Sequence, residues 1–300
     1  MNRRNAAEAA LAANTIIWGA TFVLVKAALQ SVSPMLFLAL RFSLASGVLL
    51  LLFGARARRQ FTWKAAAAGV LVGTFLFASY LFQTLGLRLT TAPKSAFITG
   101  LGSVMVPLLG SLVYRIRPQV SEWIGVVLAT LGLALMTLQG TLGSIGRGDL
   151  LTLCCALAFA CHILALGRFA SRVGFELLSL MQVTTAAAWA FVLYRGVEQP
   201  HMEWRPAVVY AILVTGLFCT ALAFSVQAWA QRYTTATRTA LLYLLEPVVA
   251  WVTSYAVAGE GLSGRGAAGA SLILGGVLLV ELKPWGAHGH PQHNAGPQGI

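Results

Sequence analysis

The chain has 300 residues, of which 58% are hydrophobic and only 10% charged. An average soluble chain carries roughly 25% charged residues, so this one lacks the side chains to cover a water-facing surface, which excludes a soluble enzyme, a nucleic-acid-binding domain and a disordered scaffold together. The formal charge of +12 does not restore a nucleic-acid partner, because the cations sit between apolar blocks and not on one folded face.

About 20 apolar residues rising ~1.5 Å each cross the ~30 Å hydrocarbon core of a bilayer. Blocks of that length recur ten times, at 9–29, 34–53, 65–87, 92–114, 120–138, 149–168, 176–194, 206–230, 236–257 and 265–281. They predict an all-α integral membrane protein of ten transmembrane helices. Ser33-Pro34, Arg117-Pro118 and Arg205-Pro206 mark turns or helix starts, and no connection is long enough for a soluble domain. Trp18 and Lys26 interrupt the first block and no small-x-small site follows, so it reads as a span and not as a cleaved signal. Residues 1–8 form a cytoplasmic N-terminus and 282–300 a disordered cytoplasmic tail, whose His288, His290 and His293 lie among Gly, Pro and Gln. Cys154, Cys155, Cys161 and Cys219 all fall in spans without zinc spacing. No metal and no cofactor is expected.

Lys and Arg set the orientation of such a chain. With the N-terminus in the cytoplasm, thirteen of the 21 cations face inward, including Arg56, Arg58, Arg59, Lys64 and Arg238. Six face outward, among them Arg88, Lys94 and Arg147, while Lys26 and Arg41 stay within spans. Both termini are therefore placed on the cytoplasmic side of the cell membrane.

An offset of 144 lays Arg88-Leu89-Thr90-Thr91-Ala92-Pro93-Lys94-Ser95-Ala96 over Arg232-Tyr233-Thr234-Thr235-Ala236-Thr237-Arg238-Thr239-Ala240, and Gly125 and Gly132 over Gly269 and Gly276. The repeat holds five spans, at 9–138 and 149–281. Because five is odd, tandem copies lie in opposite senses across the bilayer, a plan that recurs in transporters with a site near the midplane.

The residues then carry a resemblance. Trp18-Gly19-Ala20-Thr21-Phe22 with Lys26, Leu40-Arg41-Phe42, Ser95-Ala96-Phe97-Ile98-Thr99-Gly100 with Pro107, Thr234-Thr235-Ala236-Thr237-Arg238, Leu245-Glu246-Pro247 and Gly259-Glu260 follow one another in order. In this the chain resembles ten-span, EamA-like members of the drug/metabolite transporter superfamily over roughly residues 10 to 282. The resemblance implies a secondary transporter, often an exporter, of small organic solutes such as amino acids. It departs after the fourth span, where relatives commonly carry a Gly-Glu-Arg type signature and this chain has Arg115-Ile116-Arg117; Glu260 keeps the acid in the second copy only.

Within the spans, Glu246 falls near the bilayer middle, where an ionisable group is costly and marks function. With Pro247 and the carbonyl of Tyr243 it forms a polar notch; it is a substrate or proton site, or a structural kink in which it pairs with Arg41 or an amide. Arg41 reads as a clamp between helices or a substrate contact, and Lys26 as a residue that snorkels to the interface. Trp18 and Phe22 share a helix face, as do Tyr80 and Gln83, and Phe159 and His162. With Phe97, Gln227 and Tyr243 they predict an aromatic, amide-lined cavity suited to amino acids, amines or planar metabolites, against the alternative of ordinary packing. His162 relays protons or packs with a hydrogen bond, and Pro107 kinks or hinges the fourth helix near its middle. Gly125, Ala129, Gly132, Gly266, Gly269, Ala270, Gly275 and Gly276 read as close-packing positions or an oligomer face.

The expected function is secondary transport of small organic metabolites by alternating access, with a small-molecule substrate, membrane lipid and a proton as partners. A nucleotide-sugar or phosphate-ester carrier is the nearest alternative, though the spans offer only Arg41 and Lys26 to an anion. An intramembrane enzyme is disfavoured because Asp149 is the only Asp and one His lies in a span. A channel is disfavoured because no span repeats a ring of charge.

Overall fold

The computed structural model describes residues 2–87, 89–90, 92–115, 118–138, 146–258 and 264–282. They fold into α1 (Arg3–Ala28), α2 (Pro34–Gln60), α3 (Trp63–Leu87), α4 (Ala92–Gly100), α5 (Gly102–Tyr114), α6 (Val120–Thr137), α7 (Arg147–Ala170), α8 (Phe175–Val197), α9 (Pro206–Val214), a π-helical turn (Thr215–Leu222), α10 (Ala223–Ala230), α11 (Ala236–Tyr243), α12 (Glu246–Ala258) and α13 (Gly264–Leu282). Among these residues the β pairing is a single bridge between Val32 and Met202. Seven segments among the described residues are long and apolar enough to cross a membrane: Pro34–Gln60, Trp63–Gly86, Ser95–Tyr114, Val120–Thr137, Arg147–Ala170, Phe175–Gly196 and Pro206–Ala230. The molecule is thus an all-helical, multi-pass membrane protein.

Local chemistry adjusts the expected boundaries. α1 starts at Arg3, not residue 9, because the Asn2 side chain accepts from Arg4 N and Arg4 Nε pairs with Glu8 one turn on. The fourth apolar block is two helices, and it breaks at Leu101, not at Pro107 as expected. Pro107 lies inside an uninterrupted α5. The interruption falls where the backbone is squeezed from both sides: a Cβ on Gly100 would run into Leu133, and one on Gly102 would lie 2.9 Å from Ala156 O. The ninth block breaks at Leu244 and Leu245, whose amides reach back to Leu241 and Leu242. Pro247 therefore sits in the first turn of α12, where a missing N–H is tolerated. The eighth block carries an unforeseen π turn, in which Thr220 Oγ1 bonds Thr215 O, five residues back, at 2.9 Å.

Side-chain and backbone contacts sort the helix ends. At one end the start of α1 meets the starts of α6 and α11 through Glu8, Glu122 and Arg238. Ala57, Ala65, Ala170, Val173 and Leu177 join the α2–α3 and α7–α8 connections there. At the other end Ser33 N donates to His201 O at 3.0 Å and Glu203 N to Ser31 O at 2.8 Å, tying the α1–α2 connection to the α8–α9 connection. Glu198 Oε1 accepts from Met35 N at 2.7 Å and Leu36 N at 3.1 Å, so a carboxylate from another loop satisfies the free amides of α2. Thr90 Oγ1 likewise donates to Asp149 Oδ1 at 2.6 Å.

α6 and α13 cross antiparallel, with backbones nearly touching. A Cβ on Gly125 would lie 2.8 Å from Gly276 O, and Gly132 faces Gly269 in the same way. These glycines pack helices, as the sequence suggested, and their contacts lie between α6 and α13.

Candidate functional site

α1, α2 and α8 pack on the π turn between α9 and α10, and Tyr80 of α3 and Tyr243 of α11 join the site through Arg41 and Trp18. Thr220 Oγ1 and the Cys219 carbonyl of this turn face α2. Gly216 permits the approach, since a Cβ there would lie 2.7 Å from Leu44 Cδ2 and 3.3 Å from Arg41 O. Arg41, 6% exposed, donates from Nε to Thr220 Oγ1 at 2.7 Å and from Nη2 to Cys219 O at 3.3 Å and Tyr80 Oη at 3.4 Å. Its guanidinium carbon stands 5.3 Å from the Tyr80 ring centre, a cation–π distance. Nη1 has no partner among the described residues.

Trp18 closes the site from α1. Its Nε1 donates to the same Cys219 carbonyl at 2.9 Å, and its ring meets Tyr243 at 5.0 Å and Phe224 at 5.8 Å. Phe42 and Phe159 meet the Tyr80 ring at 5.4 and 5.7 Å. Trp18, Tyr80, Phe159, Tyr243 and Glu246 are half-buried. Glu246 begins α12 beside these rings, its carbonyl pressed against Gly19 of α1, the helix that carries Trp18. Its carboxylate makes no hydrogen bond or ion pair among the described residues. The expected alternative of an ion pair with Arg41 is thus not what the structure shows: the two side chains make no contact with one another among the described residues. Opposite unmatched charges beside stacked aromatic rings can hold a small ligand that carries both polar and apolar surface.

The other expected site residues sort around this centre. His162 is buried and its Nε2 lies 3.0 Å from Gln182 Oε1, while Gln182 Nε2 donates to Phe224 O at 3.4 Å and the His162 ring packs on Phe224 at 5.8 Å. Gln83 is half-buried one turn from Tyr80 on α3. Gln227 is 1% exposed, and neither its amide nitrogen nor its amide oxygen has a partner among the described residues. Phe97 packs with the cluster of α1, α6 and α13 residues, and Pro107 lies in α5, away from the break. The side chains of Phe22 and Lys26, and all of Arg117 and Glu260, lie outside the described residues.

Sequence reasoning missed Thr220, the Cys219 carbonyl, Phe224 and Gln182. The repeat offset held a signal for one of them, since it lays Phe224 over Tyr80, as it lays His162 over Trp18 and Gln227 over Gln83. Nothing in the sequence marked the π turn. Arg238, counted above with the inward-facing loop cations, is instead 2% exposed. It donates from Nη1 to Glu8 Oε1 at 3.3 Å and lies 3.6 Å from Glu122 Oε1, while Arg4 and Thr234 also reach Glu8, each at 2.9 Å. An ionic cluster seals this end of α1, α6 and α11.

A solved crystal structure superimposes with a TM-score of 0.79, over 93% of this chain and 97% of the other, at 20% identity, which speaks to the fold. An uncharacterized transporter of Archaeoglobus fulgidus is 33% identical over 283 residues, covering 94% of this chain and 87% of that protein. A probable amino-acid metabolite efflux pump of Salmonella typhimurium is 26% identical, over 88% of this chain and 91% of its own length. The model of the EamA-like transporter family matches twice, over residues 6–138 and 146–282. With apolar helices, a polar centre among them and both matches together spanning nearly the whole chain, this protein belongs to the EamA-like transporter family.

Proposed function

We propose that the protein is a secondary transporter that exports small organic metabolites such as amino acids or amines across the cytoplasmic membrane by alternating access. The observation that carries this reading is the pair Arg41 and Glu246: two opposite charges inside apolar helices, neither neutralised by the other, facing one aromatic-walled centre. Idle charge is costly in a membrane interior, so such a pair is retained for what passes between them. The efflux pump similar to this chain agrees with amino-group-bearing substrates.

Alternating access needs two halves that rock about the site. In support, the helix starts at Ala92, Gly102 and Val120 recur at Ala236, Glu246 and Gly264, each 144 residues on. The antiparallel crossing of α6 with α13 joins helices related by that same offset, as expected for two inverted halves of five spans, 9–138 and 149–281. In this reading the Glu8–Arg238–Glu122 cluster is the shut gate on the side that holds both termini, taken as the cytoplasm from the positive-inside rule. The family and its relatives are transporters, which argues against catalysis. Glu246 is the residue assigned to proton coupling.

Proteoliposome uptake over amino acids, amines and nucleobases, with and without a pH gradient, tests the reading. Saturable flux that responds to the gradient, and loses that response in Glu246→Gln, is expected. Full flux with an unchanged gradient response in Glu246→Gln removes the coupling role, and flux thousands of times faster than a carrier's replaces the carrier with a channel.

A further inference from the structure

A second site lies on the outer wall of the bundle, away from Arg41 and Glu246. The last two turns of α2 and the first turns of α8 enclose a groove of about 350 Å³ lined by Gly54, Ala57, Arg58, Phe61, Leu177, Leu180 and Met181. The spacing makes the groove: Gly54 and Arg58 share a face, Ala57 and Phe61 share the next, and Leu177, Leu180 and Met181 recur on α8. Gly54 leaves room that any side chain would occupy, since a Cβ there would meet only Leu50, with Cδ1 nearest at 3.3 Å.

Depth sets what fits. Leu51, one turn before the groove, is 87% exposed, and Trp63, just past it, is 83% exposed. An apolar residue facing outward and then a Trp facing outward trace the passage from acyl chains to the headgroup level. The groove spans Gly54 to Phe61, about 10 Å along the helix, and crosses that boundary. Its polar end is cationic. Arg56, Arg58, Arg59, Lys64 and Arg172 are exposed at this end and make no hydrogen bond or ion pair through their side chains among the described residues. The nearby acid, Glu176, accepts from Gln60 Nε2 at 3.2 Å. Phe61 and Trp63 rings stack edge to face at 5.5 Å beside the cations.

We infer that this groove binds an anionic phospholipid, its phosphate on Arg58 and the neighbouring cations and an acyl chain along Gly54, Leu180 and Met181. Charge complementarity selects an anionic headgroup, because a zwitterionic one carries its own cation into a field of five others. The apolar floor selects a lipid over a free phosphate. The inference rests on the membrane location and not on the substrate.

The test is thermal unfolding of the purified full chain in a neutral detergent, with added phosphatidylglycerol, phosphatidylcholine or glycerol phosphate. Phosphatidylglycerol should raise the midpoint by several degrees, and the other two should not. Gly54→Leu, which fills the apolar floor, and Arg58→Gln should each lose the rise, while Arg147→Gln, exposed at the start of α7 and away from the groove, keeps it. An equal rise with phosphatidylcholine or with glycerol phosphate overturns the assignment. So does a rise retained in both groove variants, or one lost equally in Arg147→Gln. Should Gly54→Leu fail to fold, Arg58→Gln against Arg147→Gln decides.

Discussion

Gly275 and Gly276 are neighbours on α13 with opposite surroundings, and alanine at each should move stability in opposite directions. A Cβ at Gly276 would stand 2.6 Å from Gly125 O and 3.2 Å from Ala129 N, both on the α6 backbone. At Gly275 it would meet nothing within 4 Å. Ordinary contact begins at 3.4 Å, so Gly276→Ala forces the two helices apart by about 0.8 Å, and no side-chain rotation relieves a clash with backbone. Overpacking of this kind costs about 1–3 kcal/mol, against about 1 kcal/mol returned by the better helix propensity of Ala. Gly276→Ala should therefore destabilise by up to about 2 kcal/mol, and Gly275→Ala should be neutral or stabilise by up to about 1 kcal/mol. Unfolding in detergent, followed by helical circular dichroism for both variants under one protocol, measures the difference. Equal effects at the two positions would falsify the antiparallel backbone crossing as the feature that holds α6 to α13.

Three further outcomes follow from the polar contacts. Glu8→Ala strips Arg238 and Arg4 of a shared acid in a buried cluster, where removing one partner costs about 3–5 kcal/mol; a near-normal unfolding profile would show that the cluster is not a seal. Thr220→Val keeps the shape but removes the acceptor 2.7 Å from Arg41 Nε, so a loss of about 1.5–3 kcal/mol is expected in the same assay. Trp18→Phe keeps a ring against Tyr243 and Phe224 while deleting the Nε1 bond to Cys219 O, and should cost about 0.5–1.5 kcal/mol and weaken apparent substrate affinity in proteoliposomes. Unchanged affinity places Trp18 outside the substrate path.

The helical, membrane-embedded character was legible because lipid demands long apolar runs, and α2, α3, α7 and α8 answer that demand directly. What composition could not show is how a run is interrupted. The breaks at Leu101 and Leu244 fall where the Leu133 side chain, the Ala156 carbonyl and α12 press against Gly100, Gly102 and Gly19, contacts made by residues distant in the chain. Pro107 misled for the same reason: a proline inside α5 removes one hydrogen bond, whereas a helix squeezed from two sides loses its path. Arg41, Trp18, Tyr80, Tyr243 and Glu246 stood out as rare residue types in apolar surroundings, and the fold gathers them. Thr220 and the Cys219 carbonyl did not, because their value comes from a π turn and a threonine is ordinary in any span. Arg238 misled in the other direction, since a cation near a span edge reads as a loop charge until Glu8 and Glu122 are seen to close over it.

The offset of 144 separates scaffold from chemistry. The glycines at which α6 and α13 touch are alike in both copies, Gly125 over Gly269 and Gly132 over Gly276, while the charges of the candidate site are not. Glu246 lies over Gly102, and Arg41 over Thr185. At Gly102 the reason is steric. A Cβ there would sit 2.9 Å from Ala156 O on the α7 backbone, so no carboxylate can occupy the equivalent place without moving α7. A scaffold repeated in sequence thus admits a carboxylate at one of two equivalent helix starts. Arg41, the opposite charge at this centre, comes from α2 and is held by a π turn, whereas α3, which the offset lays over that segment, is unbroken.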